Sequence, residues 1–144
     1  MTALLLDLGN TALKWATSDK PEEPHAYVHC GNDGVPDELL HKWLNLKPER
    51  VVGCMVSSEK FAFNITRFFN AHGIKWDWLH SERIFQGRGF SVVNKYDNYE
   101  QLGSDRWHAV IGAASLYPNR PILVVHIGTA TTADVVIPEG EKTQ

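Results

Sequence analysis

The chain has 144 residues, about one domain's worth; 43% are hydrophobic and 22% charged, enough for a packed core and too apolar for a disordered segment. Its formal charge of −3 argues against a dedicated nucleic-acid binder, and no apolar run reaches the length that spans a bilayer. The N-terminus, Met-Thr-Ala-Leu-Leu-Leu-Asp, lacks the basic segment of a secretory leader. Cys30 and Cys54 sit in apolar stretches and read as reduced core thiols of a cytoplasmic protein.

Ala3 to Leu6 is a short apolar run ending in Asp7-Leu8-Gly9-Asn10-Thr11, and a second run, Ala12 to Ala16, follows at once. That pattern predicts strand, tight turn, strand. Ala26 to Cys30 suggests a third strand, and residues 31–34 a loop. Pro36 to Leu46 predicts a helix with Leu39, Leu40, Trp43 and Leu44 on one stripe. Val51 to Val56 reads as a buried strand. Ser57-Ser58 can cap a second helix, with Phe61, Ile65, Phe68 and Phe69 inward and Gly73 as its stop.

Ile74 to Leu79 predicts another strand. Residues 80–102 read as polar and irregular around Gly87-Arg88-Gly89. Ser104 can cap a third helix carrying Trp107, Val110, Ile111 and Ala114 on one face, stopped by Pro118. Pro121 to Gly128 and Thr131 to Ile137 are the last strands, before a polar tail from Pro138. The order β-β-β-α-β-α-β-α, then β-β, argues for a layered α/β fold.

Two segments echo each other. Leu4-Leu5-Leu6-Asp7-Leu8-Gly9-Asn10-Thr11 and Leu123-Val124-Val125-His126-Ile127-Gly128-Thr129-Ala130 both run from a hydrophobic strand through a polar residue to Gly and small polar side chains. Such turns suit phosphate: Gly lets the backbone approach, and turn N–H groups with Thr or Asn side chains donate to phosphate oxygens. Asp7 at a strand end can hold a hydrated Mg²⁺ beside them. Ordinary hairpin turns are the competing reading of each segment. Neither a Walker A motif nor Gly-x-Gly-x-x-Gly is present.

Three blocks together resemble the type III pantothenate kinases: Asp7 to Thr11 with Lys14; Leu102-Gly103-Ser104-Asp105-Arg106-Trp107; and Gly128 to Thr132 followed by Asp134-Val135-Val136. The resemblance covers essentially the whole chain and implies an RNase H-like, actin-like ATPase fold. It implies ATP-dependent phosphorylation of pantothenate to 4′-phosphopantothenate, the first step of coenzyme A synthesis, with Mg²⁺ accompanying ATP. By position, Asp7, Leu8, Gly9, Asn10, Thr11, Ala12, Leu13 and Lys14 would form the first phosphate loop, and Thr129 would touch ATP from the second. Gly103, Ser104, Asp105 and Arg106 would hold pantothenate with Tyr96, and Asp105 would accept the hydroxyl proton. The resemblance also implies a homodimer.

The chemistry of these residues agrees with those roles. An alcohol is a poor nucleophile at neutral pH, and a carboxylate within hydrogen-bond reach can take its proton. A first-turn helix acid such as Asp105 is kept ionised by the dipole. Arg106 offers a cation to pantothenate's carboxylate. Taken without the resemblance, Asp105 reads first as a plain first-turn acid, and Arg106 as a surface ion pair.

Two departures stand out. His126 occupies the place where the family carries an Asp that helps bind K⁺ or NH₄⁺, and imidazole is a poor ligand for such ions, so weak or absent monovalent-cation activation is expected. The family also continues through a complete second domain with a Gly-Gly-x-Ile-x-Pro-Gly segment. The expectation here is a first domain over 1–119 and only the opening hairpin of a second over 120–144.

A non-catalytic binding or regulatory remnant of the family is therefore the alternative function. An RNase H-like metal nuclease is a third reading, weakened because Asp7 is the only acid at an early strand end. His25 and His29 would share a strand face, but no third ligand completes a zinc site. The five tryptophans read mainly as core.

Overall fold

The computed structural model describes residues 2–30, 34–55 and 59–139. The chain divides into two compact units, residues 1–79 and 80–144. In the first, β1 (Ala3–Leu8), β2 (Ala12–Thr17), β3 (Lys20–Val28), β4 (Arg50–Met55) and β5 (Lys75–Trp78) form one sheet in the order β3-β2-β1-β4-β5. β1 pairs antiparallel with β2 and parallel with β4; β2–β3 is antiparallel and β4–β5 parallel. This mixed sheet is the RNase H-like arrangement expected from the sequence.

The alternation along β1 explains which face is core. Leu4, Leu6 and Leu8 are buried, while Ala3, Leu5 and Asp7 point the other way and are half-buried. On the buried face, α1 (Asp37–Asn45) contributes Trp43, and α2 (Glu59–Ala71) contributes Phe61, Ala62, Ile65 and Phe69. Each such large side chain stabilises the unit by roughly 1.5–3 kcal/mol. α2 ends as its glycine foretold: Gly73 has φ +67°, its N–H donates to Asn70 O, and Ile74 N–H donates to Phe69 O. Ser57 and Ser58, the expected cap, lie outside the described residues. β3, with Pro21 and Pro24 among charged residues, is an exposed edge that resists further strand pairing.

The second unit holds β6 (Ile84–Gln86), β7 (Ser91–Val93), α3 (Ser104–Leu116), β8 (Ile122–Ile127) and β9 (Thr131–Val136). β6 pairs with β7 and β8 with β9, both antiparallel. Trp107, Val110 and Ile111 of α3 share a core with Val92, Leu102, Val124 and Val136. Within this second unit α3 packs with β8 and β9.

Several local expectations need correction. Residues 80–102 are not irregular throughout: they contain the β6–β7 hairpin and a 3₁₀ turn at Tyr99–Gln101. Three-residue strands are too short to show an alternating pattern. The third strand starts six residues earlier than expected, at Lys20. Gly103, not Ser104, is the N-cap of α3, and Ser104 is its first helical residue. The thiols are not core: Cys30 is exposed past the end of β3 with φ +49°, and Cys54 is half-buried on the face of β4 opposite Val51 and Gly53. Trp15, Trp43 and Trp107 are buried, whereas Trp76 and Trp78 are half-buried beside the core.

No described helix is long and apolar enough to cross a membrane.

Candidate functional site

The first phosphate-type turn joins β1 to β2. Asp7 stands at the last position but one of β1, half-buried, opposite Lys14 on β2 and Cys54 on β4. Gly9 N–H donates to Ala12 O at 3.0 Å, and a Cβ on Gly9 would lie 3.0 Å from that same oxygen. Asn10 and Thr11 are exposed at the tip, and Lys14 is exposed beside them; Ala12 is half-buried, and Leu8 and Leu13 anchor the turn in the core. An anion at this tip would meet turn amides, two short polar side chains and a lysine.

A residue that pattern reading missed supports this turn. His29 is 1% exposed, and its Nε2 lies 2.8 Å from Gly9 O. The backbone N–H groups of His29 and Cys30 both donate to Thr11 O, at 3.0 and 3.1 Å. His25 does not share this setting: it stacks on Trp15 with centroids 4.2 Å apart. Among the described residues, no cluster of three or more His, Cys, Asp or Glu could hold a metal ion. One carboxylate, Asp7, fits an ion that brings phosphate and water as its other ligands, the usual manner of Mg²⁺.

The second unit carries the other candidates. Gly103 caps α3, Ser104 and Asp105 open it, and Arg106 follows, all half-buried. Arg106 Nη2 lies 3.2 Å from Tyr96 Oη, so these two expected substrate residues meet. The loop bearing Tyr96 is held by Arg83, whose guanidinium donates to the carbonyls of Asn94, Tyr96 and Asp97 at 2.8, 2.7 and 3.0 Å. Buried Asn94 adds bonds to Tyr99 O and from Tyr96 N–H. Arg83 and Asn94 sit in the segment read as irregular, so periodicity gave no signal for them.

Arg106 is ion-paired, and the pair is largely buried rather than on the open surface. Its Nε and Nη2 donate to the two oxygens of Asp134 at 3.0 and 2.6 Å. The hydrogen bond to Asp134 is the main reason the guanidinium pKa is pushed still higher than usual, outweighing burial, which acts the other way. Thr129 is exposed in the β8–β9 turn, where Gly128 N–H donates to Ala130 O at 3.1 Å. His126 is half-buried on the covered face of β8, opposite Thr132.

A family model described as type III pantothenate kinase matches residues 3–142. Curated proteins named type III pantothenate kinase are similar throughout the chain. The one from Paracidovorax citrulli is 33% identical over 97% of this chain and 57% of its own length. Those from Herminiimonas arsenicoxydans and Aromatoleum aromaticum are 35% and 36% identical, over 95% and 96% of this chain and 54% of each relative. The chain thus spans about half the length of the curated relatives it matches. With the matched blocks lying on the turns and helix start described above, the chain belongs to the type III pantothenate kinase family.

Proposed function

We propose that this chain serves ATP-dependent phosphorylation of pantothenate in coenzyme A synthesis. The observation that carries the reading is the grouping of Tyr96 and Arg106 at the start of α3, one residue from Asp105. Pantothenate's carboxylate meets cationic and phenolic donors there, and its primary hydroxyl is the acceptor of the phosphoryl group.

Asp105 takes the hydroxyl proton as the oxygen attacks the γ-phosphorus. The bond to the β,γ-bridging oxygen breaks and ADP departs. Phosphoryl transfer asks mainly for positioning and charge stabilisation. The turn amides of Gly9 to Thr11 and Lys14 supply donors to phosphate, and Asp7 would help hold Mg²⁺ arriving with ATP; Thr129 is assigned to ATP by the family resemblance alone. The reading includes a cytoplasmic location, a homodimer, and neither nucleic acid nor membrane as partner.

The test is phosphopantothenate formation by the purified chain with MgATP. The expected result is product with the native sequence and a rate lower by about 10²–10⁴ for Asp105→Asn. His126 favours one second reading, a binding module without turnover, since it removes an oxygen ligand near the phosphates. Pantothenate binding with no product from either protein would select that reading.

A further inference from the structure

We propose that Asp134 is a positioning residue for substrate recognition: it locks the Arg106 guanidinium so that an incoming carboxylate meets only Nη1 and the Tyr96 hydroxyl. The inference rests on the pantothenate reading of this cluster. A guanidinium has five N–H donors in a fixed plane. Nε and one hydrogen of Nη2 form a two-pronged bond to Asp134, at 3.0 and 2.6 Å. The other hydrogen of Nη2 points to Tyr96 Oη at 3.2 Å. Among the described residues, that leaves the two hydrogens of Nη1 without a hydrogen-bond partner. Tyr96 Oη accepts from Arg106, so its own proton remains available to a ligand.

The accessibility of the three groups fits this division. The Asp134 side chain is 9% exposed, that of Arg106 is 23%, and Tyr96 is 40%. The acid lies beneath the arginine, and the phenol borders it. Asp134 is fixed in turn by its place on β9, opposite Val124, and by Val136 and Val124 packing against the core cluster that includes Trp107. Trp107 follows Arg106 on α3. One short stretch of backbone therefore sets both the core contact and the arginine's orientation.

Electrostatics adds a consequence. Arg106 and Asp134 together are neutral, so the pair attracts anions weakly from afar. Selection then comes from the direction of the Nη1 and Tyr96 donors rather than from net charge. A ligand carboxylate cannot use the side-on Nε/Nη2 fork, because Asp134 already fills it.

The experiment is pantothenate titration of the full chain by calorimetry, with Asp134→Asn, Arg106→Ala and the double variant, beside ¹⁵N spectra of the Arg106 Nε–H. Asp134→Asn is expected to weaken pantothenate binding about tenfold in the fold-change read. Adding it to Arg106→Ala should change affinity no further, a non-additivity that a merely structural role would not produce. In the native chain, the Arg106 Nε–H signal should exchange slowly and stay in place on saturation with pantothenate; this readout needs no variant to fold. Equal affinity of Asp134→Asn and native protein overturns the inference, and so does displacement of the Nε–H signal by pantothenate. If the native chain binds no pantothenate while the Nε–H signal is protected, the substrate reading itself falls and takes the inference with it.

Discussion

The His29 imidazole reaches the Gly9 carbonyl at 2.8 Å from a site that is 1% exposed. A carbonyl only accepts, so the ring must carry its proton on Nε2 in this contact. The ring also packs on Phe61 at 4.9 Å, which ties the turn to α2. His29→Leu is expected to leave the Gly9 carbonyl short of a donor, costing roughly 1–3 kcal/mol. Amide hydrogen exchange of Gly9 to Ala12 should speed up in that variant. His29→Gln, which can place an N–H near the Nε2 position, should restore much of the protection. Unchanged exchange in the leucine variant would rule out the support role.

Gly53 on β4 leaves no room for a side chain. A Cβ there would lie 2.6 Å from the Trp78 ring and 3.3 Å from Leu6 Cβ. Trp78 cannot swing away freely, because its Nε1–H donates to Thr66 Oγ1 at 3.0 Å. Gly53→Ala is expected to destabilise the first unit by about 1–3 kcal/mol. Urea unfolding followed by tryptophan fluorescence measures it. A midpoint equal to that of the native chain would contradict the crowding argument.

How far these features could be read in the sequence differs by kind. The strand–turn–strand opening, the inward faces of α2 and α3 and the Gly73 stop follow from periodicity and one backbone requirement, and the structure has them. The β6–β7 hairpin was invisible because neither strand exceeds three residues. Tyr96 and Arg106 were legible as candidates through the family blocks. Their ties to Arg83 and Asp134 were not, because those bonds cross 13 and 28 residues of chain and leave no mark on local pattern. His29 failed for a related reason. Beside His25 it reads as half of a metal pair, whereas its partner is a backbone carbonyl 20 residues earlier.

The β8–β9 hairpin has one apolar face toward solvent, with Leu123, Val125, Ile127 and Val135 all more than half exposed. Leu123 stands directly opposite Val135. Exposed apolar area of this kind promotes association. The pair Leu123→Lys with Val135→Glu is expected to keep the melting temperature, since neither side chain belongs to the core, and to lower concentration-dependent light scattering. A large fall in melting temperature would show that this face is covered in the folded chain in solution.

His126 bears on the ion dependence of the proposed reaction. It lies on the same covered face of β8 and β9 as Asp134, two positions along from Val124, and its cross-strand neighbour is Thr132. Thr132 Oγ1 is buried without a hydrogen-bond partner among the described residues. A hydroxyl oxygen and an imidazole make a poor site for K⁺, which favours several oxygen ligands. The rate of phosphopantothenate formation is therefore expected to change little between KCl and an organic-cation chloride at equal ionic strength. His126→Asp supplies a carboxylate oxygen opposite Thr132 and should introduce a K⁺ dependence. A many-fold acceleration of the native chain by K⁺ would show that the cation is held without any ligand from position 126, and the substitution would then carry no consequence for ion use.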